Sequence, residues 1–216
     1  MTLLQVPEAA RAQLAQLYAA DPALARVERA AGKLPWRVRP DGFPGLLQTL
    51  VGQQISTAAA AAIWRRLAAL GGALDPQGLL ALPDEALLGA GLSRPKAAHA
   101  RALAAAFASG QLSGPALAAM DDAAAVAAIT AVRGFGPWSA EVFLLFAHAR
   151  PDVFPAGDLA LQAAAQSLYG LGARPGAAGL RRMAERWRPS RALAARLLWH
   201  YWRHATGRPT MDDDPA

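Results

Sequence analysis

Three features of this 216-residue sequence predict an all-α protein. Segments rich in Ala, Leu and Arg place apolar residues three and four positions apart, which is the period of an α-helix. Short breaks that contain Gly or Pro separate these segments. No segment alternates β-branched or aromatic residues over the length of a strand. We therefore expect a compact bundle of about ten helices.

Each helix is placed by its apolar spacing together with a start or stop residue. Asp21-Pro22, Asp75-Pro76 and Pro83-Asp84 are typical helix starts, and Ser190 is expected to cap the last long helix. In chain order the predicted helices are 7–19, 22–31, 43–53, 57–70, 76–82, 84–90, 95–109, 121–131, 138–148, 158–169, 176–187 and 190–206.

The length of the chain allows one large domain with an ample core, and we expect a single domain over residues 1–216. Within it, two lobes with a cleft between them are predicted. A central helical lobe covers 43–150 and includes a hairpin at 132–138. The second lobe combines 1–42 with 151–210.

The charge balance favours a polyanionic partner. Twenty-two basic residues against 16 acidic ones give a net charge of +6 and a pI near 10.7. Nearly all the basic residues are Arg, and only Lys33 and Lys96 are Lys. Between Arg174 and Arg208 the one acidic residue is Glu185, so this stretch is either a phosphate-facing surface or the solvated face of the last helices.

The absence of cysteine excludes disulfides, thiol catalysis and any zinc or iron–sulfur site with Cys ligands. The N-terminal residues show no signal peptide, and no apolar run reaches membrane-spanning length without Pro, Gly or a charge. A soluble cytoplasmic protein without a membrane partner is expected.

The most informative segment runs from Val132 to Trp138 and reads VRGFGPW. Gly134 and Gly136 break a helical stretch, and Pro137 restarts a helix at its first turn, where a missing N–H is tolerated. Two short helices joined by a tight hairpin are predicted. The amides at such a helix N-terminus bind phosphate oxygens. Asp158, which follows after a Pro-Ala-Gly break, makes the region a candidate active site.

The hairpin and its downstream Asp resemble the signature of the helix-hairpin-helix (HhH-GPD) base-excision DNA glycosylases. Three further segments resemble the 3-methyladenine DNA glycosylase II branch of that superfamily. Together the four segments extend from about Phe43 to Tyr201 in the order of the family. The further segments are LVGQQIS at 50–56, GLSRPKA at 91–97, and WRPSR at 187–191 leading to Leu198-Trp199.

The resemblance implies a nucleoid-associated, monomeric enzyme that acts on double-stranded DNA containing alkylated bases of the 3-methyladenine and 7-methylguanine type. Hydrolysis of the N-glycosidic bond would leave an abasic site. Full-length alkylbase glycosylases also carry an N-terminal β-rich domain. Because this chain begins directly in helices, no N-terminal β domain is expected.

The resemblance also implies roles for individual residues. Asp158 would be the catalytic carboxylate, and Gln54 the wedge that fills the gap left by an extruded base. Trp138 and Trp199 would form the base pocket, because electron-rich rings attract a cationic alkylated base. Residues expected to bind the DNA phosphate are Arg133, Gly134, Phe135 and Gly136.

Each role has a structural alternative. Asp158 is well placed to be the N-cap of a helix that begins at Leu159, and both roles can hold together. Gln54 is alternatively a capping or buried-network amide. The two tryptophans are alternatively core residues, and Arg133 alternatively faces solvent.

The residue at 138 bears on the type of reaction. Bifunctional members of the superfamily place a Schiff-base lysine there, and a tryptophan cannot be a nucleophile, so hydrolysis without lyase activity is expected. Val142 stands where relatives carry a tyrosine, which implies a more open or less aromatic pocket.

No cofactor is expected to be required. By the resemblance, a monovalent or divalent cation could bind the hairpin through the backbone carbonyls of Thr130, Val132 and Phe135. Two rival functions stay open: a glycosylase for deaminated or mispaired bases, and a non-catalytic helix-hairpin-helix DNA-binding protein.

Overall fold

The computed structural model describes residues 5–208, and over that range the chain forms thirteen α-helices and one short 3-10 helix, with no β-strand. The all-α prediction is confirmed. The helices are α1 (Glu8–Ala20), α2 (Pro22–Ala31), α3 (Gly42–Gly52), α4 (Thr57–Ala68), α5 (Pro76–Ala81), α6 (Asp84–Gly89), α7 (Arg94–Ala108), α8 (Gly114–Ala119), α9 (Asp122–Thr130), α10 (Pro137–Ala147), α11 (Leu159–Tyr169), α12 (Ala177–Ala184), the 3-10 helix (Glu185–Trp187) and α13 (Arg191–Thr206).

The predicted helix starts at Asp21 and Asp75 are confirmed in detail. The Asp21 carboxylate accepts hydrogen bonds from the backbone N–H groups of α2, and that of Asp75 accepts one from Gly78 in α5. The prediction for Ser190 is wrong in one respect. Ser190 precedes α13, but its side chain makes no capping hydrogen bond.

Helix α8 was not predicted. It has only six residues, so no apolar period can be recognised within it, although Ser113 caps it through a hydrogen bond from the Ala116 N–H. The predicted helices at 76–82 and 84–90 correspond to α5 and α6, so within residues 5–208 α8 is the one α-helix without a predicted counterpart.

The described residues divide into two compact units. The split unit comprises 5–38 and 149–208, and the continuous unit comprises 39–148. In the split unit α13 packs against α2 and α11. Its residues from Ala192 to His200 are all buried, so this part of the helix is enclosed on every side.

In the continuous unit α3 packs against α4, α7 and α10. Helix α10 is the most enclosed element here, because every residue from Ser139 to Phe146 is buried. This packing fixes the start of α10, which is also the end of the predicted hairpin.

A buried carboxylate, Asp21, connects several elements of the split unit. It accepts hydrogen bonds of 2.8 Å from both the Tyr169 hydroxyl and the Trp187 indole N–H. Burial by itself would raise the pKa of Asp21. The hydrogen bonds from Trp187 and Tyr169 and the charge of Arg186 outweigh it, so the pKa lies below its ordinary value.

None of the helices described between residues 5 and 208 combines the length and the apolar character needed to cross a membrane.

Candidate active site

The turn between α3 and α4 contains Gln54, the predicted wedge. Gln54 is exposed and has a positive φ of 57°, a conformation that costs a residue with a side chain about 1–2 kcal/mol. The cap of α4 is Ser56, whose hydroxyl accepts from the Ala59 N–H. Gln54 is therefore neither the cap of α4 nor a buried amide, and its role as a wedge stays a prediction.

The neighbouring Gln53, which no sequence motif marks as functional, makes long-range contacts. Its side-chain amide donates to the Gly134 carbonyl at 3.0 Å and to the Ser139 hydroxyl at 2.9 Å. The Gln53 backbone carbonyl accepts from the Lys96 ammonium at 2.7 Å. No local pattern signals these contacts, because the partners lie 43 to 86 positions away.

The predicted hairpin is confirmed as a turn between α9, which ends at Thr130, and α10, which begins at Pro137. The Phe135 N–H donates to the Val132 carbonyl across the turn at 3.1 Å. Gly136 is the N-cap of α10 and provides no side-chain cap. This end of the helix therefore presents backbone amides without a competing side-chain oxygen.

The two hairpin glycines differ in their surroundings. Gly134 has a φ of 97°, and a Cβ there would lie 2.4 Å from Cγ of His99 on α7. A Cβ on Gly136 would meet nothing within 4 Å. Only glycine fits at 134, whereas the space beside 136 is open. Arg133 is exposed next to them.

The carbonyls predicted to bind a cation belong to Thr130, Val132 and Phe135. Neutral backbone oxygens are ligands that hard cations accept. The Val132 carbonyl already takes the Phe135 N–H, but a carbonyl oxygen has a second lone pair. The three carbonyl oxygens are thus suitable ligands for such a cation, and cation binding stays a prediction. Side chains offer no other metal site within residues 5–208, where no three His, Asp or Glu groups cluster suitably.

Trp138 is the second residue of α10 and is half-buried. Val142 lies one helical turn later and is fully buried. The more open or less aromatic base pocket expected from a valine at this position remains a prediction. Gln54, the hairpin and Trp138 all lie in the continuous unit.

Asp158 lies in the split unit immediately before α11, and the residue is 7% exposed. Its Oδ1 accepts from the N–H groups of Ala160 at 2.9 Å and Leu161 at 3.0 Å. The alternative of an N-cap is therefore confirmed. The loop before it is fixed as well, because the Gln162 side chain donates to the Ala156 carbonyl at 3.0 Å.

Trp199 donates its indole N–H to the same Oδ1 of Asp158 at 3.1 Å. Its side chain is fully buried in α13. The alternative of a core tryptophan thus describes its packing, and the hydrogen bond gives it a further part, which is to orient Asp158. Its role as a wall of the base pocket stays a prediction.

Several arginines of the stretch 174–208 have intramolecular partners. Arg188 and Arg191 pair with Asp152 at 2.7 and 2.8 Å and with Glu185 at 2.7 and 2.9 Å. The Arg196 guanidinium lies 4.3 Å from the centroid of the Trp36 ring and is buried. At these positions the positive charge serves the fold, so the stretch is not simply a phosphate-facing surface.

Comparison with known proteins yields a match over most of the candidate site. A family model described as "HhH-GPD superfamily base excision DNA repair protein" matches residues 47–189. "Putative DNA-3-methyladenine glycosylase YfjP" of Bacillus subtilis is 32% identical over 93 residues. That match covers 43% of this chain and 32% of the relative, so the chain spans about a third of the relative's length.

Two solved structures are similar over nearly the whole chain. One is a DNA-3-methyladenine glycosidase from Bacillus halodurans, with 32% identity, a TM-score of 0.76, and coverage of 95% of this chain and 93% of that one. The other is 3-methyladenine DNA glycosylase Mag1 of Schizosaccharomyces pombe in complex with abasic DNA, with 24% identity, a TM-score of 0.80, and coverage of 89% and 95%. The second likeness establishes the fold.

Proposed function

The chain belongs to the HhH-GPD superfamily of base excision DNA repair proteins, and on that premise we propose that it is a monofunctional DNA glycosylase for alkylated bases. The observation that carries the proposal is Asp158, a nearly buried carboxylate oriented by three N–H donors. Its substrates are bases of the 3-methyladenine and 7-methylguanine type in double-stranded DNA. The names of the relatives support this substrate class.

The enzyme must first bring the damaged base out of the stack, because the glycosidic bond is inaccessible within the duplex. Gln54 fills the gap that this leaves. Its exposure in a turn of unusual backbone conformation supports the role. A polar wedge can also hydrogen-bond the orphaned partner base. The hairpin amides and Arg133 bind the backbone phosphate.

Trp138 and Trp199 are the aromatic residues proposed for the extruded base. An alkylated purine carries a delocalised positive charge, which the face of an indole ring attracts. Trp138 is half-buried and so retains accessible surface.

Asp158 acts on the sugar. As the bond from C1′ to the base nitrogen breaks, its electron pair leaves with the base and positive charge develops at C1′, where a carboxylate stabilises it. A water oxygen then bonds to C1′ and loses a proton to Asp158 or to solvent. Because the departing base is already cationic, it leaves as a neutral molecule without a general acid.

The residue at 138 supports hydrolysis without strand cleavage, since an indole cannot form a Schiff base with the sugar. A cation bound by the carbonyls of Thr130, Val132 and Phe135 would supply positive charge for a DNA phosphate.

The proposal is tested by Asp158→Asn in single-turnover release of 3-methyladenine, 7-methylguanine, hypoxanthine and undamaged bases from duplex DNA. Asn caps helices about as well as Asp, so the fold should keep its stability while excision falls on the order of 100- to 1000-fold. Asp75→Asn is the matched control, because it makes the same change at the cap of α5.

Full activity in Asp158→Asn would refute the catalytic role. Binding of DNA without excision of any base would favour a non-catalytic binding protein, and release of hypoxanthine alone would favour a glycosylase for deaminated bases. Cleavage of the DNA strand without added alkali would contradict hydrolysis of the glycosidic bond as the sole reaction.

A further inference from the structure

We propose that Lys96 is a positioning residue that holds the Gln54 turn in the conformation needed for base extrusion. The inference rests on the proposed function, in which Gln54 fills the gap left by the extruded base. Lys96 lies in the segment GLSRPKA, in the first turn of α7.

Lys96 makes a pair of contacts at the end of α3. The Lys96 ammonium donates to the carbonyls of Val51 and Gln53, both at 2.7 Å. Carbonyls in the last turn of a helix have no N–H partner within the helix and carry partial negative charge. One ammonium group therefore neutralises the end of α3.

One of these contacts bears on the backbone of Gln54. The Gln53 carbonyl belongs to the peptide that joins Gln53 to Gln54, so its direction helps to set φ at Gln54. That φ is +57°, which is unfavourable for a residue with a side chain. The hydrogen bond from Lys96 opposes rotation of this peptide and so stabilises the unfavourable conformation.

The position of Lys96 in α7 is electrostatically unfavourable for a cation. Lys96 is the third residue of α7, and its backbone N–H donates to the capping hydroxyl of Ser93. A cation is disfavoured there by the helix dipole, and burial also lowers the pKa of Lys96. Local preferences thus argue against a lysine at this position, and the two carbonyls are the compensating partners.

The presence of lysine and not arginine at position 96 agrees with a role in binding two carbonyls. Lys33 and Lys96 are the only lysines among 22 basic residues. An ammonium is a compact charge with three donors and can serve two converging carbonyls, whereas the planar guanidinium suits carboxylates and phosphates.

The contacts continue from the turn to the hairpin. The Gln53 side chain donates to the Gly134 carbonyl and to Ser139 on α10. His99, one turn after Lys96 on α7, lies against Gly134. Helix α7 therefore contacts both the turn and the hairpin.

The test uses the absence of cysteine from the chain. In Lys96→Cys the ammonium is lost, and alkylation of the new thiol with 2-bromoethylamine restores a lysine analogue at that position alone. Lys33→Cys, at an exposed lysine, is treated in the same way as the control. Hydrogen exchange of the backbone amides in residues 50–57 is measured in the protein without DNA. Single-turnover base excision is measured on duplex and on single-stranded DNA.

We expect faster exchange at 53–56 in Lys96→Cys and slower excision from duplex DNA, on the order of 100-fold, as for a displaced catalytic group. Excision from single strands, where no gap must be filled, should be unchanged. Alkylation should restore both readouts. If Lys96 had only a general structural role, its loss would slow excision from duplex and single-stranded DNA alike, and that result would overturn the proposal.

Loss of the proposed function is distinguishable from loss of this inference. If the wild type excises no base, the proposed function fails. The exchange data and the fluorescence of 2-aminopurine in bound duplex DNA then decide whether Lys96 controls the turn and base unstacking. Exchange and fluorescence equal to wild type in Lys96→Cys would refute its role.

Discussion

Two glycines separated by one residue have different physical reasons to be glycine. Gly134 needs a positive φ and is in close contact with His99, so its requirement comes from the fold. Gly136 has an ordinary φ of −110° and open space where a side chain would begin. A requirement for glycine at 136 would therefore come from a ligand.

Gly136→Ala should leave the thermal unfolding temperature close to that of the wild type while DNA affinity falls, because its methyl group would stand between the helix amides and a phosphate. Gly134→Ala should instead destabilise the fold, by about 1–3 kcal/mol. Calorimetry and DNA-binding titration on both variants check this. Unchanged affinity in Gly136→Ala would remove the amides at this position from the phosphate site.

Single residues also show the limits of sequence interpretation. Asp158 could be recognised as a capping residue from the residues beside it, and as a candidate catalytic residue from its position downstream of the hairpin, which resembles the family signature. The hydrogen bond from Trp199 to Asp158 could not be predicted, since the two residues are 41 positions apart and meet only through the packing of α13. The contacts of Gln53 could not be predicted for the same reason, because the fold brings its partners Gly134 and Ser139 to it.

At the level of the helix, capping chemistry explains why most bounds were predictable. Asp21, Asp75 and Ser93 each accept a hydrogen bond from the first turn of the helix they precede, and such signals are local. The prediction failed where local information was insufficient. Helix α8 is too short for a period, and Ser190 does not use its hydroxyl to cap α13.

Asp21 yields a prediction about the connections among helices. Since its folded pKa is lowered, its contribution to stability is present above the ordinary value of 3.8 and is lost as the pH falls through the folded pKa. The wild type should lose stability over that acidic range, and Asp21→Asn should show a flatter profile. At neutral pH the variant should be less stable by about 1–3 kcal/mol.

Thermal unfolding of both proteins as a function of pH measures this. Asp122→Asn, at an acidic residue in the first turn of α9, is the control. Parallel profiles for the wild type and Asp21→Asn would show that Asp21 is not the source of the acid sensitivity.

For the whole molecule, the charge of +6 is informative only when its location is known. Arg188 is 53% exposed, yet it forms ion pairs with Asp152 and Glu185. Arg133 is exposed beside the hairpin. The sequence predicted the excess charge but not which arginines the fold uses, because ion pairs such as that of Arg188 with Asp152 join distant parts of the chain.

Arg133→Met should weaken DNA binding and reduce the slope of log affinity against log salt concentration by about 1, as expected when one phosphate contact and its released counterion are lost. Arg188→Met should leave the slope as in the wild type. Titrations at several salt concentrations measure both. Equal slopes in all three proteins would place Arg133 away from the phosphates.

The divided sequence of the split unit has a consequence for synthesis on the ribosome. The apolar residues Leu24 and Val27 of α2 are buried in the fold, and α2 packs against α13, which begins at Arg191. At translation rates of about 5–20 residues per second, α2 waits on the order of ten seconds or longer for that helix. The continuous unit, residues 39–148, is fully synthesised earlier. The nascent chain therefore has its N-terminal helices without their partner while the middle of the sequence can already fold.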